Sequence, residues 1–161
     1  MAAKRSAGIL LFRQIGSEPE FLLVHPGGPF WAKKDAGAWS IPKGQIEDDE
    51  EPRACAIREL EEELGKAPEL DAAQLIELGS IKQRAGKVVE AWAAEADFDP
   101  ASLASNTFEM EWPPRSGRQE EFPEVDRAGW FDLEKAREKI LPAQAEFLDR
   151  LLEQLGTDVS L

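Results

Sequence analysis

Residues 44–66, GQIEDDEEPRACAIRELEEELGK, constrain this chain more than any other stretch. Pro52 suits the first turn of a helix, where its missing N–H is no loss. Gly65 suits the position just past the last turn, where a left-handed backbone is wanted. Between them Ala54, Ile57, Leu60 and Leu64 recur at three- and four-residue spacing, which predicts a helix over about 52–64 with one apolar face. Glu59, Glu62 and Glu63 fall on a different face, close to the C-terminal end. Like charges so spaced repel by roughly 0.2–0.5 kcal/mol per pair on an exposed helix. The negative end of the helix dipole adds to the conflict. A hard divalent cation such as Mg2+, bound through oxygen, would resolve it. A solvated acidic face is the other reading, and helix chemistry alone does not separate the two.

The spacing carries more than amphipathicity. Gly44 is followed by five residues, then Glu50, then seven residues, then Arg58-Glu59-Leu60-x-Glu62-Glu63-x-Gly65. This run resembles the Nudix box. It departs only at Lys66, where the pattern has an apolar residue; the change touches packing after the helix and leaves the acidic residues alone. The lead-in at residues 39–44, WSIPKG, is similar to the segment preceding the box in many Nudix hydrolases. The resemblance implies a metal-dependent hydrolase of phosphoanhydrides. Glu59, Glu62 and Glu63 would hold Mg2+ or Mn2+, partly through water, with the Gly44 carbonyl as a further ligand. Glu50 and Arg58 are expected to form a structural salt bridge. In Nudix relatives a glutamate shortly before a strand tryptophan often approaches the metal. Glu124, ahead of Trp130, is the nearest match, with Glu120 and Glu121 as rivals. The base that takes the proton from water is then Glu59 or Glu124.

A chain of 161 residues is expected to form a single domain with a real core. Its net charge of −13 argues against binding a nucleic-acid polymer, which needs a basic footprint. Small phosphorylated substrates remain open, provided metal ions screen the charge. Cys55, the one cysteine, has no partner for an internal disulfide and reads as a packed thiol. No apolar run is long enough to span a bilayer, so the default expectation is a cytoplasmic protein. A homodimer is compatible with the family.

Along the chain, residues 6–13 and 21–25 read as a strand hairpin, ended by Pro26-Gly27-Gly28-Pro29, which reads as a plain turn. Residues 75–81 and 87–94 read as a second strand pair. Residues 97–121, with Pro100, Pro113, Pro114 and Gly117, read as an irregular loop, with a possible short strand at 108–112. Residues 124–131 read as a late strand. Asp132 caps a helix to Lys139, and Pro142 starts another through Leu155. This order predicts an α/β fold with a mixed sheet between helices, in agreement with the α/β/α sandwich the resemblance implies. Lys43, Lys33 and Arg84 are candidate substrate-binding residues, Lys43 because it directly precedes Gly44, and Lys33 because it lies beside Trp31. The reading is a pyrophosphohydrolase acting on a nucleotide-like substrate, such as a dinucleoside polyphosphate or a nucleoside triphosphate. The alternative is a Nudix-like domain that senses a nucleotide without cleaving it.

Overall fold

Alternation of side chains sets the register of the central sheet in a computed structural model that describes residues 4–16, 18–83 and 86–156. Strand β1 (Arg5–Ile15) sends Ala7, Ile9 and Leu11 to one face, and Leu10 and Phe12 to the other. Strand β2 (Glu18–Pro26) does the same with Leu22 and Val24 against Phe21 and Leu23. Period two with both faces apolar is what a strand between two layers requires.

The two strands pair only near their turn, where Phe12 to Ile15 face Phe21 to Glu18. Beyond that they splay, and residues 40–45 fill the gap. Ser40 exchanges backbone hydrogen bonds with Val24 at 2.8 and 2.9 Å, and Ile9 N donates to Pro42 O at 3.1 Å. Strand β3 (Lys43–Gln45) then pairs with Ser6 to Gly8. The wedge satisfies backbone groups that the split would otherwise strand. It also places Lys43 and Gly44 where the sheet opens.

Helix α1 (Pro52–Leu64) lies in the crossover that leads to β4 (Ile76–Lys82) and β5 (Val88–Glu95). These two strands are antiparallel to each other, and β5 is parallel to β1. Strand β6 (Thr107–Glu111) pairs with β7 (Gln119–Pro123) in a separate two-stranded sheet. Strand β8 (Val125–Phe131) returns to pair with β2, giving the order β4-β5-β1-β2-β8 with β3 beside β1. Helices α2 (Leu133–Lys139) and α3 (Ala145–Leu155) complete the chain, and the Asp132 side chain caps α2 by accepting from Lys135 N at 2.9 Å. α1 buries Cys55, Ala56, Leu60 and Leu64 against one face of the sheet. Ala136 of α2 and Phe147, Leu148, Leu151 and Leu152 of α3 cover the other. The result is a mixed sheet between helices, an α/β/α sandwich. No helix among the described residues is long and apolar enough to cross a membrane.

Two expectations are corrected. Ala54 is exposed, and Cys55 and Ala56 take its place in the buried stripe. The strand β3 loop lies on the Cys55 side of the helix, where Cys55 Sγ donates to the Gly44 and Gln45 carbonyls at 3.7 and 3.6 Å. The stretch expected to be irregular at 97–121 holds β6 and most of β7, with Phe108 opposite Phe122 at a ring separation of 6.0 Å. Glu109, Glu111, Glu120 and Glu121 occupy its exposed positions, and glutamate weakens a strand signal.

Gly27 proves to be more than a turn residue. Its N–H donates to Glu124 O at 2.9 Å, and a Cβ there would fall on the Pro123 carbonyl oxygen. The β7–β8 junction therefore sits directly on the glycine backbone. Because the obstacle is backbone, no rotamer change relieves it. Gly27→Ala is expected to lower stability by about 1–3 kcal/mol in urea denaturation; an unchanged midpoint and slope would show that the junction is free to move.

Candidate functional site

The polar flank of α1 is built into the wedge. Glu59 and Glu63 are each only 9% exposed, which is unusual for a carboxylate. Glu59 lies against the Cα of Gly44 so closely that a Cβ at residue 44 would overlap its carboxyl group. Glu63 Oε2 accepts from Lys43 N at 2.7 Å. Arg58 organises the remainder. It donates to both oxygens of Glu50 at 2.8 and 3.0 Å, to Glu59 at 2.9 Å and to Glu62 at 3.1 Å. Glu50 also accepts from Glu47 N at 3.1 Å, which ties the acidic turn to the helix.

These contacts set the proton affinities. Arg58 and then the Glu47 N–H hold the Glu50 carboxyl down at about 2. Glu50 in turn raises the Arg58 guanidinium. Burial pushes Glu59 up, and Glu62 pushes it further. Burial raises Glu63 to about 8; the Lys43 N–H opposes the rise, and Glu59 and Glu124 add to it. Glu124 is raised by desolvation and then by Glu62. Burial lowers the Lys43 ammonium, and Glu63 partly restores it. The Cys55 thiol is pushed up to about 12 by burial and then Glu50, so it is inert as a nucleophile near neutral pH.

Glu124 thus belongs electrostatically with the box glutamates, although α1 ends 60 residues before it. The Gly27 contact with the β7–β8 junction brings it there. Lys43, Glu63 and Glu124 line one cleft of about 200 Å3, together with Trp31 and Leu141. A cavity of about 460 Å3 beside Phe12, Leu70 and Leu155 has none of these charges in its lining. Lys33 is exposed and lines neither this cleft nor the one beside it. Arg84 lies outside the described residues.

Among the described residues, no three Asp, Glu, His or Cys side chains converge as a ready-made metal cage. The carboxylates are turned instead onto Arg58 and the Lys43 N–H. The donor set still suits a hard cation, because Mg2+ takes one or two carboxylates and keeps several waters. Glu59 and Glu63, whose charge is resisted by burial and by neighbouring glutamates, are the groups such an ion would relieve.

Sequence reading passed over His25. It is fully buried, with Nδ1 2.7 Å from Asp126 Oδ1 and Nε2 2.6 Å from Lys34 O. It joins the loop that carries Trp31 to the strand that follows Glu124. The available signal was a lone histidine at a core-facing position of an apolar strand.

Comparison with known proteins places this geometry. A family profile described as NUDIX domain matches residues 2–151. An RNA pyrophosphohydrolase of Roseobacter denitrificans is 53% identical over 36 residues, 22% of this chain and 22% of that protein. The curated relatives are matched over only 17% to 31% of their own length. Among solved structures, a C. elegans Ap4A hydrolase binary complex superposes with a TM-score of 0.64 at 23% identity, covering 94% of this chain and 98% of that one. The NUDIX domain of Shewanella oneidensis NrtR, complexed with ADP ribose, gives 0.66 at 18% identity, covering 96% and 90%.

The Glu50–Arg58 pair makes a prediction about acid stability. Because the folded-state value lies below the ordinary 4.5, the pair stabilises the fold above that pH and the contribution is lost as pH falls toward about 2. Glu50→Gln removes it at every pH. The stability gap between wild type and Glu50→Gln, measured by denaturant titration at neutral and acidic pH, is expected to shrink on acidification. A gap independent of pH would contradict the pairing.

Proposed function

The chain belongs to the NUDIX family, and from that premise we propose that it is a pyrophosphohydrolase cleaving a phosphoanhydride bond in a small nucleotide-like substrate. One observation carries the reading: Glu124 is delivered from the far end of the chain to the same cleft as Glu63 and Lys43, in electrostatic reach of Glu59 and Glu62. An acidic helix that only solubilised the surface would not bury two of its glutamates or call in a fourth carboxylate. Ap4A and ADP ribose, the molecules with which two structural neighbours are named, both contain phosphoanhydride bonds.

Mg2+ or Mn2+ held by Glu59, Glu62 and Glu63, with the Gly44 carbonyl as a further ligand, would screen the phosphate charge and acidify a bound water. The protein's own groups divide the remaining work. Arg58 keeps Glu59 and Glu62 oriented. Lys43 presents its ammonium inside the cleft, where it meets a phosphate oxygen in a charge-assisted hydrogen bond. Glu59 is already held by Arg58 and by its seat on Gly44, whereas Glu124 stands across the cleft with a raised proton affinity. That contrast favours Glu124 as the base that takes the proton from the attacking water. The carboxylates titrate as a coupled group, so the proton is shared among them once taken. A net charge of −13 disfavours a nucleic-acid polymer and fits a small substrate that arrives with its metal.

The test is turnover and product analysis on ATP, Ap4A and ADP ribose with Mg2+ or Mn2+, and again after chelation. Turnover is expected only with metal. Glu62→Gln and Glu63→Gln are expected to abolish it while the circular dichroism spectrum is unchanged, and Lys43→Ala to raise KM. Full activity in folded glutamate variants would remove the acidic face from the chemistry. Tight binding without products in the wild type would make the chain a sensor.

A further inference from the structure

Strand β8 changes phase just after Glu124. His25 of β2 stands opposite Arg127 and Pro26 opposite Val125, so Asp126 is an extra residue with no partner on β2. Such an insertion is a β-bulge, and a shift of one residue moves the side chains beyond it to the other face of the sheet. The packing records the change. Ala128 and Trp130 lie with the α1-side core, and Phe131 lies with the other. Continued alternation would put Val125 on the Phe131 side, yet it is buried in the α1-side core. Asp126 and Arg127 are consecutive, and both turn to the face opposite α1. Asp126 Oδ1 meets His25 Nδ1 at 2.7 Å, and the Arg127 guanidinium stands 5.2 Å from the Trp39 ring centroid.

The residues before the bulge are held through the backbone. Glu124 N donates to Asn106 O at 2.8 Å, Gly27 N to Glu124 O at 2.9 Å and Val125 N to Ser105 Oγ at 3.2 Å. The bulge residue is held through its side chain by His25, with Arg127 Nε further off at 3.7 Å. His25 makes a firm post. It is fully buried, its ring stands edge-on to Trp39 at 5.3 Å, and its Nε2 lies 2.6 Å from Lys34 O. Both neighbours of the ring are acceptors, so it serves them only by donating. Resting on the hydrolase reading above, we propose that His25 is a positioning residue for the base Glu124: by holding Asp126 it locks the bulge that carries Glu124 to the α1 glutamates. His25 does not line the cleft and acts only through the strand. Without the lock the bulge is free to migrate along β8, and a slip of one residue exchanges the faces of Val125 and Glu124.

The experiment compares the full chain with Asp126→Ala and Asp126→Asn, which alter the lock at its outer end and leave the buried ring in place. Turnover of ATP, Ap4A and ADP ribose is measured with Mg2+ or Mn2+. Amide hydrogen exchange is followed by NMR at Gly27, whose N–H is bound to Glu124 O, and at Ala93 inside the sheet. Asp126→Ala is expected to lower kcat roughly tenfold or more with KM nearly unchanged. Asp126→Asn keeps an acceptor oxygen for the ring and is expected to recover most of the loss. Gly27 exchange should quicken in Asp126→Ala and return in Asp126→Asn, with Ala93 unchanged throughout. An unchanged kcat, a loss that falls on KM instead, or exchange that quickens equally at Ala93 overturns the assignment. Exchange needs no turnover, which separates this proposal from the hydrolase reading. A wild type without turnover, but with Gly27 exchange that quickens only in Asp126→Ala, keeps the lock and removes the hydrolase. Unchanged Gly27 exchange removes the lock.

Discussion

The seating of two α1 carboxylates on the 40–45 wedge is the contact on which the rest of the molecule depends. Glu63 accepts the Lys43 N–H, and Glu59 lies on the bare Cα of Gly44. The wedge holds β1 and β2 apart, so a sheet that would otherwise close as a plain hairpin opens at one end. The helix cannot shift along the sheet without breaking these contacts, because Leu60 and Leu64 are fully buried on the adjoining face. The apolar stripe gives α1 its adhesion. The acidic flank gives it a position. Burying ionisable groups in this way is unfavourable by itself, which the raised proton affinities of Glu59 and Glu63 record. Such strain at a cleft is characteristic of a place where something is meant to bind.

Local chemistry explains which parts of this were legible beforehand. The helix bounds followed from Pro52 and Gly65, whose backbone preferences act within a turn and need no tertiary partner. The first strands followed from continuous apolar runs such as Ile9 to Phe12, since a layer on each face makes both sets of side chains apolar. Strand β6 matches the short strand read at 108–112, while β7 was obscured because Gln119, Glu120 and Glu121 are all exposed. Ala54 was misplaced because periodicity fixes a spacing and leaves the phase open; the β3 loop under Cys55 set the phase.

At the site the same division holds. Gly44, Glu50, Arg58 and the three glutamates stand close in sequence, so their fixed intervals could be read directly. Glu124 was ranked first on its distance from a strand tryptophan, and no local property marked it over Glu120 and Glu121. The backbone supplies the distinction: the Glu124 carbonyl accepts from Gly27, while Glu120 and Glu121 face outward on β7. Lys43 stood out because it directly precedes Gly44, and Lys33 because it lies beside Trp31. The wedge brings Lys43 to the lining of the cleft, whereas Lys33 is exposed on its loop. His25 gave little local signal because its value lies in joining two segments that are distant in the chain, at Lys34 and Asp126.

The overall charge then has a consequence for how a substrate is admitted. At −13 the protein repels anions at long range, but at physiological ionic strength that field is screened within about 8 Å. Under the proposed function, selection would then fall to the cleft itself, where Lys43 lines the wall beside Glu63 and Glu124. One buried ammonium, itself weakened by burial, is too little to hold a polyphosphate against Glu59, Glu62, Glu63 and Glu124. Under the proposed function, Mg2+ or Mn2+ would supply the missing positive charge and join protein and substrate in one electrostatic unit. In that arrangement metal and phosphate affinities are linked, so each strengthens the other by the same factor. On that reading the acidic excess would make substrate binding conditional on metal.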